Sequence, residues 1–347
     1  MENDFFKLAG QWVRPASARR RPTFARWRSG GIRPVAAAIR HLLLLLLFAL
    51  ALPAAAPAPA PPPVDAPALW EVRAGESTAY LFGTVHALPR GVNWFKPEIA
   101  QALDRSKMLV LEAEVPTSAA ALAPIILRLS RLPAARPVAE RVPEGWRPAL
   151  LDAIQDLKAG PLDWYDTWFI ALTLTNLQAE RNGFDPRLGV EAVLTERANM
   201  QKIPVFGLET IDEQLINFDA LSEADQQLIL VYTLAELANS KQRLQAVIDD
   251  WLAGRTDLLA AHVNEQFEHS PMLRRMLVED RNIRWADQLQ QRMQAEKGPI
   301  FVAVGAGHLA GRGSLIDLLR QRGMTVNRVA PPVKTSAKAP TKAPAGR

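Results

Sequence analysis

One motif occurs twice in this 347-residue sequence, and each copy directly follows a short apolar segment. The frame Gly-x-x-His-x-x-x-Arg-Gly contains His86 in the first copy and His308 in the second. The apolar segments before the two copies, residues 79–82 and 300–304, have the length and composition of β-strands. Glycine at a strand end lets the backbone turn sharply and leaves room for a ligand. The repeat therefore predicts two imidazoles that meet at one edge of a sheet, as metal ligands or as an acid/base pair.

The segments between the two motifs alternate between strand-like and helix-like patterns. Strands are predicted at residues 69–73, 107–111, 203–208 and 325–329, in addition to the two that precede the motifs. The middle of the chain has apolar residues at three- and four-residue spacing, which predicts helices over residues 117–132, 144–158, 163–182 and 222–252. We therefore predict an α/β fold, tending to α+β, with a mixed β-sheet core, flanking helices and a large helical insertion.

The N-terminal region has the pattern of an export signal. Residues 1–41 are basic, and residues 42–56 contain eleven consecutive apolar side chains and an Ala-rich end typical of a cleavage site. Residues 57–68 are a Pro/Ala linker, and residues 331–347 form a polar tail that predicts disorder. A folded domain is then predicted over residues 69–330. The alternative is an uncleaved segment that anchors the protein in the inner membrane.

Charge and cysteine content exclude several classes of protein. The net charge of +5 comes from the two ends of the chain, whereas residues 57–330 contain more carboxylates than basic side chains. The basic balance is therefore no argument for nucleic-acid binding, and we predict none. The sequence contains no cysteine, which excludes disulfides, thiolate metal sites and a cysteine nucleophile.

Acidic residues at other strand ends are the candidate partners of the two histidines. A catalytic metal ion needs about three protein ligands and an open position for water. His86 and His308 supply two imidazoles, and Glu112 is the best candidate for the third ligand or for a general base. Glu114 and Glu209 are secondary candidates. The competing interpretation is that these carboxylates are solvated charges that end their strands.

Other conspicuous side chains have a plainer interpretation. Arg281 is a candidate for stabilising an oxyanion, although a surface ion pair is the commoner role of such an arginine. His262 and His269 lie in an acidic helical stretch and are predicted to be surface residues. Trp164 and Trp168 are one helical turn apart and are predicted to belong to the core.

The assembled motifs resemble the TraB/GumN family, which is related to the Tiki proteins. The resemblance spans about residues 69–329 and includes His86, Glu112, Arg281 and His308, the positions that match the two histidine motifs, the strand-end glutamate and the helical arginine of the family. The other matching stretches are Gly189-Val-Glu191, which makes Glu191 a further secondary candidate, and Gly207-Leu-Glu-Thr210. Glu114 stands where members of the family often have aspartate. Tiki proteins are described as metal-dependent proteases, and the superfamily includes esterase-like hydrolases.

The resemblance implies a metal-dependent hydrolase, and the signal-like N-terminal region predicts that it is exported, periplasmic or secreted. Its implied cofactor is a divalent transition metal held by His86, His308 and Glu112, with Glu112 and Arg281 as catalytic residues. Peptide bonds are the first expected substrate and esters the second, so the partner is a peptide or a small molecule. The alternative is a non-catalytic periplasmic protein that binds a ligand or a metal. Association with the membrane is expected only through the N-terminal apolar segment.

Overall fold

A six-stranded mixed sheet forms the centre of the protein in a computed structural model, which describes residues 66–114, 119–267, 270–296 and 298–330. The order of the strands across the sheet is β4-β3-β5-β2-β1-β6. The strands are β1 (Leu69–Ala74), β2 (Ser77–Thr84), β3 (Leu109–Glu114), β4 (Val205–Thr210), β5 (Ile300–Gly305) and β6 (Thr325–Arg328). The sheet and the helices around it confirm the predicted α/β class.

The middle strands of the sheet run in one direction. β5 pairs in parallel with both β2 and β3, and β3 pairs in parallel with β4. β1 is antiparallel to its two neighbours, β2 and β6. The carboxyl ends of four parallel strands therefore lie at one edge of the sheet, and loops at this edge are where open α/β sheets bind ligands.

Helices cover both faces of the sheet and form a separate helical layer. A π-helical turn, Arg275–Glu279, joins two of them. The helices are α1 (Pro97–Arg105), α2 (Ala119–Ser130), α3 (Arg147–Asp156), α4 (Thr167–Arg181), α5 (Val190–Met200), α6 (Ile211–Asp219), α7 (Glu223–Glu236), α8 (Ser240–Leu252), α9 (Thr256–Gln266), α10 (Pro271–Arg274), α11 (Asp280–Ala295) and α12 (Leu315–Gln321).

The two faces of the sheet belong to different apolar cores. Successive side chains of a strand point to opposite faces, and accordingly Phe82 packs in one core and Leu81 in the other. The core around Phe82 is closed by α1, α5 and α8, and the core around Leu81 by α11 and α12. A third core joins α2, α3, α4, α6 and α7 to one another, which makes these helices a unit of their own. This unit is the predicted helical insertion.

Several local predictions differ from the structure. The helix predicted over residues 222–252 is two helices, α7 and α8, although Ser222 caps the first of them as its sequence suggests. Helix α6 was not predicted, and α9 was predicted only as a helical stretch around His262, without bounds. The strand predicted to end at residue 111 continues to Glu114, so Glu112 lies within β3 and not after it. The additional residues of β3 pair with β4, and Glu114 lies opposite Thr210.

Some predictions fall on residues outside the described ranges. These are the basic lead, the apolar signal segment, most of the Pro/Ala linker, the C-terminal tail and His269. Across the ranges that the structure describes, none of the helices has both the length and the apolar character needed to cross a membrane.

Candidate functional site

The two copies of the motif lie side by side because their strands are neighbours. β2 and β5 pair so that Thr84 faces Gly305 across the ladder. Close packing explains why Gly83, the first residue of its motif, is a glycine. A methyl group at this position would lie 3.0 Å from Cα of Ala306 and 3.1 Å from its Cβ, inside normal contact distance. Glycine therefore lets the first motif pack directly against the second.

Three side chains face the Cα of Gly305 at the carboxyl end of β5. A methyl group built on Gly305 would lie 3.2 Å from Oε2 of Glu112, 3.5 Å from Cδ2 of His308 and 4.0 Å from Nε2 of His86. Both imidazoles and one carboxylate thus converge on Gly305, which has no side chain of its own. A larger residue here would fill the space between them.

His308 is buried, and both of its ring nitrogens have partners. Nδ1 lies 2.7 Å from Oδ1 of Asn282, and Nε2 lies 3.4 Å from Nη1 of Arg281. The indole of Trp285 packs against the ring, with 4.5 Å between centroids. Burial is the main influence on His308, and with the nearby Arg281 it outweighs the attraction of Glu112 and lowers the pKa to about 3. His308 is therefore a neutral imidazole at physiological pH.

His86 has the opposite electrostatic environment. Its Nδ1 lies 2.6 Å from Oε1 of Glu191, and its side chain is 15% exposed, against 3% for His308. Burial is the largest single influence and lowers the pKa of His86, but the attraction of Glu191, its hydrogen bond and the charge of Glu112 raise the pKa to about 9. His86 is therefore an imidazolium at neutral pH, on the more solvent-accessible side of the cluster.

The position of Glu191 depends on the start of helix α5. Gly189 precedes the helix, and a methyl group there would lie 2.0 Å from the carbonyl oxygen of His86. Only glycine permits so close an approach between the helix and the first motif. The backbone N–H of Val190 also donates to the carbonyl oxygen of Val85, at 3.1 Å. The first turn of a helix stabilises a carboxylate through its dipole, and the side chain of Glu191 is placed there.

Glu112 is a buried carboxylate with several donors. Oε1 accepts from Nη2 of Arg281 at 2.5 Å and from Nε2 of Gln214 at 2.9 Å. Oε2 accepts from the backbone N–H of Gly305 at 3.0 Å and lies 4.0 Å from Nε2 of His308. Burial, the largest influence, would raise the pKa of Glu112, but the positive Arg281 and the two histidines lower it to about 2. The carboxylate stays ionised throughout the physiological range.

Arg281 links two carboxylates from neighbouring strands. Its Nη2 donates to Glu112 and to Oε1 of Glu209, and its Nε donates to Oε2 of Glu209 at 3.2 Å. The guanidinium stacks over Trp285, 4.5 Å from the ring centroid. Its remaining nitrogen, Nη1, donates to the carbonyl oxygen of Leu277 at 3.0 Å. The two carboxylates raise the pKa of Arg281 against the effect of burial, so its positive charge is permanent.

A π-helical turn precedes Arg281. The backbone N–H of Asp280 reaches the carbonyl oxygen of Arg275, five residues back, instead of the usual four. Single π turns are frequent at functional sites because they rotate the following residues relative to the helix before them. Here the turn lies between Ser270, whose side chain caps α10, and the face of α11 that contains Arg281.

The donors match a divalent metal in kind, although they are not grouped as a closed site. Both Nδ1 atoms have partners of the type that orients metal-binding imidazoles, and both Nε2 atoms face the cluster. Glu112 Oε2 and His308 Nε2 are 4.0 Å apart, whereas two ligands of a tetrahedral zinc ion are separated by about 3.4 Å. Within the described ranges, no three His, Asp or Glu side chains form a group that could hold an ion as they stand.

The net charge of the cluster also bears on whether a metal ion would bind there. The cluster contains the carboxylates of Glu112, Glu191 and Glu209 and the guanidinium of Arg281. Burial raises the pKa of Glu209, Arg281 lowers it, and the negative Glu112 raises it further. The three carboxylates outnumber the guanidinium, and the proton that His86 retains through its raised pKa compensates part of this excess. A divalent cation would compensate the same excess.

Other candidates from the sequence lie elsewhere. Glu114 is exposed at the end of β3 and is not among the contacts of the cluster. Arg90 and Arg312, which the two motifs share, are also exposed. His262 is partly exposed, with 25% of its side chain accessible, and its Nε2 lies 2.8 Å from Oδ2 of the buried Asp250. Trp168 is buried as predicted, whereas Trp164 is 41% exposed.

Two residues of the cluster were not identified from the sequence. Asn282 follows Arg281 directly, but nothing in the sequence assigned it a partner. Gln214 lies on α6, a helix that was not predicted, and reaches Glu112 from the helical unit. Neither residue has a charge that would have drawn attention to it.

Comparisons with known proteins identify a family and several relatives. A model of the TraB/PrgY/gumN family matches residues 68–328. The chain is 28% identical over 257 residues to a protein of Shigella flexneri called "Uncharacterized protein YbaP". The aligned residues are 73% of this chain and 92% of that protein. The protein of the same name from Escherichia coli K12 has the same identity and coverage.

A more distant relative gives the same coverage of this chain. It is an "Uncharacterized protein" of Treponema pallidum, 24% identical over 274 residues, which are 73% of this chain and 80% of that protein. No solved structure matches the chain significantly. The family match includes both histidine motifs and all the strands that the structure describes. The chain belongs to the TraB/PrgY/gumN family.

Proposed function

We propose that this protein is a hydrolase that cleaves peptide bonds, with esters as the second class of substrate. The observation that supports the proposal is the convergence of His86, Glu112 and His308 on Gly305, with Arg281 beside them. Side chains of these types in one buried group are the components of general acid–base and electrostatic catalysis. Their place at the carboxyl ends of parallel strands is the usual place of a ligand site in such a sheet.

The two histidines suit different steps of a hydrolysis. His308 is neutral, and its Nε2 presents a lone pair to a water molecule or to a cation. His86 is protonated, and its more exposed ring is able to give a proton to a leaving group. Arg281 supplies a fixed positive charge that would stabilise an oxyanion formed next to it. The cluster thus contains an acceptor, a donor and a permanent charge.

Glu112 is better suited to anchoring than to accepting a proton. Its pKa of about 2 and its bonds to Arg281, Gln214 and Gly305 make it a weak base. A general base works best when its pKa is close to the working pH. The environment therefore favours Glu112 as a ligand or electrostatic partner over its role as the base.

A divalent transition metal remains part of the proposal. His86, His308 and Glu112 would hold it, after His86 releases the proton of Nε2 and small side-chain movements bring the donors closer. When bound, such an ion would polarise a carbonyl group and lower the pKa of a bound water. The donor types and the excess negative charge of the cluster support this cofactor.

Metal binding and cleavage are tested separately. Purified protein would be stripped with a chelator and titrated with Mn²⁺, Co²⁺ and Zn²⁺ by calorimetry, then assayed on a library of unstructured peptides and on aryl esters. We expect cleavage that is lost in H86A, E112A and R281A and that persists in H262A. H262A is the matched control because His262 also pairs with a carboxylate, but outside the cluster. Activity that persists in H86A, E112A and R281A alike would overturn the proposal.

A second candidate is a protein that binds a ligand or metal without turnover. The low pKa of Glu112 favours it, because a carboxylate that stays ionised attracts a cation and accepts a proton poorly. Both candidates predict binding that depends on His86 and His308. They differ in cleavage, since the binding protein would leave the whole peptide and ester library intact at any metal concentration.

Export is proposed on the sequence pattern of residues 42–56. Mass spectrometry of the protein recovered from cells distinguishes the alternatives. We expect a mature N-terminus near Pro57 and recovery in the periplasmic or secreted fraction. An intact N-terminal segment recovered with the membrane fraction would favour the anchored form instead.

A further inference from the structure

Asn282 connects the second histidine to the loop that follows it. Its Oδ1 lies 2.7 Å from Nδ1 of His308, and its Nδ2 donates to the carbonyl oxygen of Gly313 at 3.0 Å. The asparagine is fully buried. One side chain therefore holds both the imidazole and the end of the same Gly-x-x-His-x-x-x-Arg-Gly motif.

The two bonds of Asn282 determine which way its amide faces. A backbone carbonyl is only an acceptor, so the group that faces Gly313 must be the amide NH₂. The amide oxygen then faces His308, and because this oxygen is only an acceptor, Nδ1 of His308 must be the donor. The proton of the neutral ring is consequently on Nδ1.

The other side of the ring leads to the same result independently. Nε2 of His308 faces Nη1 of Arg281 at 3.4 Å, and a guanidinium has donors and no acceptor. Nε2 must therefore present its lone pair.

We infer that Asn282 is a positioning residue that fixes the Nδ1–H tautomer of His308 and so keeps the Nε2 lone pair directed into the cluster. Its counterpart at the first motif is Glu191, a carboxylate, which holds Nδ1 of His86. The two motifs look alike in sequence, yet one is held by an amide and the other by an acid. The positioning role rests on the proposed function, whereas the tautomer does not depend on it.

The experiment is nitrogen-15 NMR of the histidine side chains in the full chain at pH 8, with chelator present. The sequence contains only five histidines, and the H308Q variant identifies the signals of His308. We expect a protonated Nδ1 and an unprotonated Nε2 in the wild type. In N282A we expect the proton to be lost from Nδ1 in a large fraction of molecules. N282D keeps the acceptor oxygen, so we expect Nδ1 to remain protonated.

N282D also separates the two bonds of the asparagine. It replaces the NH₂ group that Gly313 needs, so we expect faster amide exchange around Gly313 and an unchanged tautomer. The matched control is N176A, which truncates another buried asparagine on α4, outside the cluster, and should leave the His308 signals in place. If cleavage is found, we expect its kcat/KM to fall about 10- to 100-fold in N282A.

The outcomes distinguish this inference from the proposed function. Wild-type protein with the proton on Nε2, or N282A with the proton still on Nδ1, would overturn the inference even if the protein cleaves peptides. The predicted tautomers in a protein without any cleavage would leave the inference standing and remove the hydrolase. If N282A does not fold, the wild-type and N282D spectra still decide the tautomer.

Discussion

Glu191 and His86 form an ion pair in which Oε1 of the carboxylate lies 2.6 Å from Nδ1 of the imidazole. The two side chains come from different parts of the fold, one from the first turn of α5 and the other from the loop after β2. Their mutual attraction has a direct consequence for the pH dependence of stability, because His86 binds its proton more tightly in the folded chain than in the unfolded chain.

The pKa of His86 rises from 6.5 to about 9 on folding. The pair therefore stabilises the fold fully below pH 6.5, and its contribution is lost as the pH rises through 9. The shift corresponds to about 3 kcal/mol at most. We expect the free energy of unfolding of metal-free protein to fall between pH 6.5 and 9 in the wild type and to change much less in E191Q. A wild-type profile as flat as that of E191Q would contradict the ion pair.

Removal of the guanidinium should leave two buried carboxylates facing each other. R281M is expected to destabilise the protein by about 3–5 kcal/mol at pH 7, because Glu112 and Glu209 would then lack their shared partner. The double variant R281M/E209Q should recover part of this loss. The control is R275M, since Arg275 pairs with Asp280 at the surface and is 74% exposed, so its loss should cost at most about 1 kcal/mol. Chemical denaturation measures all three variants.

Gly189 should tolerate no side chain. In G189A the new methyl group would collide with the His86 carbonyl oxygen, 2.0 Å away, and would push α5 from the first motif. We expect a loss of about 1–3 kcal/mol and a pKa of His86 closer to its ordinary value. G145A is the control, because no atom lies within 4 Å of a methyl group built there. Thermal unfolding and histidine NMR check both variants, and equal stability of the two would refute the steric argument.

Gln214 should matter more than another glutamine with the same kind of bond. Its Nε2 donates to the buried Glu112, whereas Nε2 of Gln245 donates to the exposed Asp249 at 2.8 Å. Q214L is expected to cost about 1 kcal/mol and to weaken metal binding or cleavage. Q245L should change neither by a measurable amount. Calorimetric metal titration compares the two, and identical affinities would show that Gln214 does not influence the cluster.

The sequence was sufficient for the main features of the fold and for the principal candidates. The repeated motif indicated two neighbouring strand ends, and in the structure all of β5 pairs with residues 79–84 of β2. Short acidic strand ends indicated Glu112 and Glu209, which Arg281 now connects. These predictions depend on local patterns that survive in a single sequence, namely apolar strands followed by glycine, histidine or acid.

Features that depend on tertiary contacts could not be predicted from local sequence patterns. The break between α7 and α8 falls at residues 237–239, where neither proline nor glycine interrupts the apolar spacing. Helix α6 directly follows β4 and begins with a capping box of Thr210 and Glu213, so its start overlaps the end of a strand. Trp164 has helical spacing to Trp168 but lies before α4, with Arg131 over its ring at 5.2 Å.

The position of β5 has a consequence for how the protein is made. β5 is inserted between β2 and β3, although it is synthesised some two hundred residues after them. Until residues 300–305 leave the ribosome, β2 and β3 cannot be joined in their final register, and His86 has no second imidazole beside it. Such distant pairing also slows folding. The nascent chain therefore lacks the complete cluster and any activity that depends on it. A chain truncated before β5 would lack His308 and, with it, the same activity.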